Sequence, residues 1–330
     1  MTRYTWHEQQ WKSVETRLQQ GRLPHALLLT GPQGIGKVEF AQQLAAGLIC
    51  SQAAGTQVCG SCQNCNLIAA GTHPDKKQLT FEVDAKSGKV AKELKIDQIR
   101  AMAESLALTA QFGGYKVAII YPAERMNQNA ANGILKTLEE PTEKTLLILI
   151  TDFPSRLLPT IRSRCQEIRF TAPSKQQSKQ WLSSALPGVA PEPLLAMANG
   201  APLQALKAGQ EGWLELRNNF YSQLIAVSQH QMSPVALAAQ LAKQPMDLLV
   251  VWGISWVNDL IKLRQVADIS QVANEDYTQI LSDLAPKANL QALYAWYDDQ
   301  VKLQTLVQRS LNPQQLLEKN LLDWQAVFKA

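Results

Sequence analysis

Two clusters in this chain have the residue types and spacing for chemistry. The first is Gly31-Pro32-Gln33-Gly34-Ile35-Gly36-Lys37, which matches the first seven positions of G-x-x-x-x-G-K-[ST]. Gly31, Gly34 and Gly36 let successive backbone N–H groups turn toward a phosphate. A following helix N-terminus adds positive potential, and Lys37 would reach the outer phosphates. The eighth position should carry a hydroxyl for magnesium, but it is Val38, which cannot ligate a metal. The second cluster is Cys50-x8-Cys59-x2-Cys62-x2-Cys65, four of the five cysteines in the chain. Pairs two residues apart can bend back onto one tetrahedral ion, and four thiolates with no open position imply structural zinc. An iron–sulfur cluster is the alternative, but a ferredoxin run needs a further cysteine followed by proline, and neither is present. His73 could replace Cys50 as fourth ligand or be a turn residue beside Pro74.

The surrounding elements must position these groups. Residues 7–20 have helical spacing, with Trp11, Val14 and Leu18 on one face and Gly21 at the stop. Residues 26–30 form a short apolar run suited to a buried strand, and 37–49 continue as a helix after the glycine loop. Further strands are expected at 78–83, 117–121, 145–150 and 165–170, with helices at 97–108 and 127–140, the latter ended by Pro141. Alternating strands and helices imply an α/β fold with a mostly parallel sheet covered on both faces. Residues 171–174 read as a linker, three short helices follow to 208, and helical spacing continues to 330. Tryptophans 213, 252, 256, 296 and 324 supply bulk for that helical core.

An active nucleotide hydrolase of this kind also needs acidic residues at the end of a neighbouring strand. Strand 117–120 leads instead into Tyr121-Pro122, and Glu124 beyond it reads as a solvated loop residue. The order of the glycine loop, the cysteine insertion, Leu135-Lys136-Thr137-Leu138-Glu139-Glu140-Pro141 and Ser163-Arg164-Cys165 resembles the AAA+ clamp-loader family of bacterial DNA polymerase III. Leu311-Asn312-Pro313-Gln314-Gln315-Leu316-Leu317-Glu318 resembles that family's last helix. The resemblance is strong to about residue 170 and looser beyond.

It implies a RecA-like AAA+ domain over 1–170 with a zinc-binding insertion near 50–65, a small helical lid over 171–208, and an all-α collar over 209–330. It also implies a hetero-pentameric ring with other clamp-loader subunits that loads the sliding clamp at primed DNA. The Ser-Arg-Cys arginine carries over as Arg164, a finger reaching an adjacent subunit's ATP site. Without the resemblance, Arg164 reads as the partner of a surface carboxylate, and Arg162 lies beside it as a decoy or an assistant. The family's active members carry a lid arginine where this chain has Leu203. With Val38, Tyr121, Pro122 and Leu203 all altered, the resemblance implies a non-hydrolysing stator within a DNA-directed DNA polymerase (nucleotidyltransferase) holoenzyme. No intrinsic ATPase and no Mg²⁺ are expected, and ATP binding in Gly31–Lys37 stays open.

Composition fits this class. The 330 residues suit two or three domains, and 46% hydrophobic with 18% charged residues is ordinary for a globular protein. Without a membrane-length apolar run or a signal-like start, a cytoplasmic protein is expected. The net charge of +4 is concentrated in residues 1–170, with 20 Lys+Arg against 15 Asp+Glu, so an anionic ligand is permitted but not demanded. Two other readings remain open. One is an active clamp-loader ATPase. The other is a stand-alone zinc nucleic-acid binder using Lys86, Lys89, Lys92 and Lys95, which have helical spacing.

Overall fold

The computed structural model describes residues 3–83, 90–266, 268–307 and 312–328. It divides into two compact units, Met1–Ser174 and Lys175–Ala330.

The first unit holds five strands, β1 (Ala26–Thr30), β2 (Lys76–Leu79), β3 (Lys116–Ile120), β4 (Thr145–Thr151) and β5 (Gln166–Arg169). All neighbours pair in parallel, in the order β2-β3-β4-β1-β5. The central strands β1, β3 and β4 are buried along their whole length, which their near-continuous Leu/Ile/Val/Ala composition requires of a sheet covered on both faces. Around them lie α1 (Glu8–Gln19), α2 (Lys37–Ile49), α3 (Gln63–Ala69), α4 (Ile96–Ala107), α5 (Gln128–Gly133), α6 (Leu135–Glu139) and α7 (Pro159–Arg162).

The first unit departs from expectation in two places. The edge strand covers 76–79 rather than 78–83. It runs beside β3 from Lys76↔Val117 to Leu79↔Ile120, and its last ladder bond is from the Tyr121 N–H to the Leu79 carbonyl. The helix expected over 127–140 is two shorter ones. Asn127 caps the first, its side chain accepting the Ala130 N–H, and the turn at buried Ile134 follows Gly133, a poor residue for a helix interior.

The second unit is helical: α8 (Lys175–Ala185), α9 (Pro191–Met197), α10 (Pro202–Gln210), α11 (Trp213–Ser228), α12 (Pro234–Leu241), α13 (Met246–Val266), α14 (Thr278–Leu284), α15 (Leu290–Leu306) and α16 (Pro313–Ala326). Trp252, Trp256, Trp296 and Trp324 are buried in its core. Trp296 and Trp324 each donate their indole N–H to a backbone carbonyl, of Asn320 and Leu224, so neither pays for an unmet donor. Trp213 does not join them; it is half-buried at the start of α11 with the Lys207 ammonium over its ring. Among the described residues no helix is long and apolar enough to cross a membrane.

Candidate functional site

Parallel register assembles the site. β4 lies between β3 and β1, with Thr30 opposite Thr151 and Ile120 opposite Leu149. The residues that leave the C-terminal ends of these three strands, Gly31, Tyr121 and Asp152, are therefore brought together at the edge where open α/β sheets bind ligands. Gly31 has φ +142°, and a Cβ there would lie 2.2 Å from the Phe170 carbonyl oxygen, so only glycine passes. Gly36, at φ +96°, is pressed by the rings of Tyr4 and His7, which a Cβ would meet at 2.7 and 2.9 Å. The N-terminal aromatic segment thus packs on the loop. Trp6 Nε1 donates to the Ile35 carbonyl at 2.9 Å, and His7 Nε2 bonds the same oxygen at 2.8 Å. Burial pushes the His7 imidazole down to about 4, so it is neutral at physiological pH and donates through Nε2.

Lys37 opens α2, but its side chain is not free. Its Nζ donates to the carbonyls of Gly31 at 2.6 Å and Pro32 at 2.5 Å, and pairs with Asp152 Oδ1 at 2.7 Å. The two side chains are only 3% and 9% exposed. The Tyr121 hydroxyl donates to the other Asp152 oxygen at 3.2 Å, and burial followed by the Asp152 charge raises its ionisation well above the usual tyrosine range. Burial pulls the Lys37 ammonium below its ordinary value, against the opposing pull of Asp152, Glu124 and Glu39. Glu124 is not the solvated loop residue expected from sequence. It is half-buried, its Oε2 is enclosed without a hydrogen-bond partner, and its charge acts on both Lys37 and Tyr121. The short 3-10 turn Ala123–Arg125 carries it back beneath the strand ends. Asp152 and Glu124 are the members of this cluster that motif reading misses.

The four cysteines converge. Cys50 follows α2, Cys62 caps α3 by accepting the Cys65 N–H, and Cys65 sits in the first turn of that helix. The four sulfurs lie within 4.8 Å of one another, with Cys50–Cys62 at 3.8 Å and Cys59–Cys65 at 3.9 Å. A tetrahedral ion with Zn–S bonds of about 2.3 Å sets its sulfurs about 3.8 Å apart, so the cluster is compatible with a structural zinc site. Backbone N–H groups of Cys59, Cys62 and Cys65 point at the sulfurs of Cys50, Cys59 and Cys62, which favours thiolates. The Cys62 thiol is lowered to about 5, chiefly by the Ser51 hydroxyl and the Cys65 N–H. The knuckle is docked on α2. Asn64 donates to the Ile49 carbonyl at 2.7 Å, and a Cβ on Gly47 would strike the Thr56 carbonyl at 2.5 Å. His73 stays outside the sulfur cluster, its Nδ1 accepting the Asp75 N–H at 3.1 Å.

Arg164 follows the single turn of α7. Its guanidinium donates to the Thr160 carbonyl at 2.9 Å and pairs with Glu139 at 2.6 Å, the side chains being 35% and 49% exposed. Its partners therefore belong to α6 and α7 and not to the loop of its own chain, and Arg162 beside it is exposed. Leu203 lies half-buried in the first turn of α10. In the lysine series, Lys86 and Lys89 lie outside the described residues, and Lys92 and Lys95 precede α4, so those two do not form a helical face.

A parallel sheet in the order β2-β3-β4-β1-β5, a phosphate loop after β1, a four-cysteine insertion and a largely helical C-terminal region define an AAA+ protein of the clamp-loader type. The family model for "DNA polymerase III, delta subunit" matches residues 6–174, and that for the C-terminal part of the delta subunit matches 211–326. The DNA polymerase III subunit delta' of Pseudomonas aeruginosa is 36% identical, covering 97% of both chains. Its Escherichia coli counterpart is 33% identical over 86% of this chain and 82% of its own. The Escherichia coli subunit tau is 32% identical over 67% of this chain, which spans only 32% of tau. The chain belongs to the delta-prime subunit family of the DNA polymerase III clamp loader, a component of DNA replication.

Proposed function

We propose that this chain is a non-hydrolysing stator of the clamp loader, acting in the cytoplasm and supplying Arg164 to a neighbour's ATP site. Tau/gamma-type subunits are the ring neighbours, as their sequence kinship suggests, and the complex loads the sliding clamp at primed DNA. The observation that carries the reading is the contrast between two cations. Lys37 is saturated inside its own chain, in a loop without a metal-holding hydroxyl. Arg164 stands at an exposed edge with one exchangeable carboxylate partner. A guanidinium that trades Glu139 for a transferring phosphate keeps its two-pronged geometry and neutralises developing charge, an effect on the order of 10³–10⁵ in rate.

Residues 1–170 serve as the AAA+ module, with residues 171–208 as lid and 209–330 as collar. Cys50, Cys59, Cys62 and Cys65 would hold one Zn²⁺, whose part is to fold the knuckle and not to take part in a reaction.

The test is reconstitution with tau/gamma-type subunits. The isolated chain should release no phosphate from ATP. Arg164→Ala should assemble normally and cut clamp loading and DNA-stimulated ATPase, with Arg164→Lys intermediate. Normal ATPase from an assembled Arg164→Ala complex would remove the finger from the account.

A further inference from the structure

We infer that Asp152 closes this phosphate loop from within: its carboxylate takes the Lys37 contact that a nucleotide phosphate would need, and together with Glu124 it makes the loop reject nucleotide. This deepens the non-hydrolysing reading by assigning a residue that decides whether the loop binds at all.

A lysine ammonium has three N–H donors. Here they go to Gly31 O, Pro32 O and Asp152 Oδ1, leaving none for a phosphate oxygen. The carboxylate is itself fixed on its second oxygen by the Tyr121 hydroxyl, so it does not swing aside freely. The carboxylates acting on Lys37 are Asp152, Glu124 and Glu39, while buried His7 is neutral and adds nothing positive. One cation thus feels three carboxylates, of which Asp152 is in direct contact. The helix N-terminus returns only about half a positive charge, and Val38 recruits no metal to offset a triphosphate. Like charges in a seat this enclosed repel strongly, since little water is present to screen them. Register, not loop flexibility, puts Asp152 here: Thr151 is the parallel partner of Thr30, so their successors Asp152 and Gly31 leave adjacent strands side by side.

The test uses the full chain and isothermal titration with ATP, with and without Mg²⁺. The unaltered chain should show no saturable binding at millimolar ATP. Asp152→Asn keeps the shape and removes the charge, and should tighten ATP binding by at least about tenfold. Asp152→Thr, which leaves a neutral hydroxyl, should do the same and covers the case in which the asparagine variant does not fold, as a thermal melt would report. Glu124→Gln removes a charge without touching a Lys37 bond and should move affinity in the same direction by less. Adding Lys37→Ala to Asp152→Asn should erase the gain. If the unaltered chain binds ATP as tightly as the folded variants, or no folded variant of the three binds better, Asp152 does not close the loop. Phosphate release is read separately. Hydrolysis by the unaltered chain sinks the non-hydrolysing reading, while the affinity comparison still decides the role of Asp152.

Discussion

Lys37 and Arg164 are both cations that motif reading assigns to phosphate, yet their surroundings differ in kind. Lys37 is 3% exposed, makes three short bonds and faces a carboxylate that is itself 9% exposed. Arg164 is 35% exposed and shares one surface carboxylate, Glu139, which is 49% exposed. A surface pair of this sort is worth about 0–1 kcal/mol, so exchanging Glu139 for another anion costs little. Breaking a buried pair leaves an uncompensated charge and costs about 3–5 kcal/mol. Burial and saturation, more than residue type, separate a cation that holds the fold together from one that is available to a partner.

The cysteine knuckle is the extreme case, four thiolates whose charge one metal ion would offset. The protein prepared without chelator should carry one zinc per chain by metal analysis. Zinc binding in small modules is worth roughly 10–16 kcal/mol, so stripping it should unfold residues near 50–65. The parallel sheet should survive, because its ladders do not pass through the insertion. Hydrogen exchange before and after chelation reads both outcomes, and protection unchanged in the knuckle would count against a metal-dependent fold.

Next in size is the buried pair. Lys37→Met should lower stability in urea unfolding by about 3–5 kcal/mol, because Asp152 is left charged and enclosed, while Lys37→Met with Asp152→Leu should regain most of it. A loss below about 1 kcal/mol would show that the pair is solvated in solution.

Much of this was legible from the residues alone, for a physical reason. The phosphate loop and the C-x2-C-x2-C run are contiguous, and each needs only local geometry to form, whereas Ser163-Arg164-Cys165 stands out only through the family resemblance, its residues alone reading as a partner for a surface carboxylate. β1 and α2 are likewise set by their own apolar runs, and both occupy the expected residues. Asp152 was not legible, because what it touches is fixed by parallel register between strands some 30 to 120 residues apart, and Glu124 was not, because a short turn after the strand places it. The short edge strand and the broken helix over 128–139 were missed for a related reason. The β2–β3 ladder ends at the Tyr121 N–H on the Leu79 carbonyl, a matter of pairing that an apolar run does not show, and the helix breaks after Gly133, a poor helix former that lies within an otherwise regular pattern. Trp213 left the core because the start of its helix is not enclosed, which periodicity does not reveal.

Acid should weaken the packing of the N-terminal aromatic segment on the loop. His7 is buried as the neutral ring with its pKa near 4, against 6.5 when exposed. The unfolded chain therefore takes up a proton first as pH falls. Stability should be full above pH 6.5 and drop as pH is lowered from there toward 4, by at most about 3 kcal/mol from this group. His7→Phe should flatten that part of the profile in thermal melts. An unchanged slope would mean the ring protonates in place. Smallest of all, Glu139→Gln should change stability by less than about 1 kcal/mol, because the pair it removes lies at the surface. A larger loss would make Arg164 a structural residue and erase the contrast with Lys37.

The central claim is settled most directly by measuring DNA-stimulated ATPase in the reconstituted clamp loader with Arg164→Ala and, separately, with Lys37→Ala in this chain. Thermal melts and assembly must first show that both variants are incorporated. The account predicts that Arg164→Ala removes the contribution of one served site, and that Lys37→Ala, once assembled, leaves the rate within about twofold of the unaltered complex. A crippled Lys37→Ala complex beside a normal Arg164→Ala complex would contradict it, and would make the chain a motor that works through its own loop.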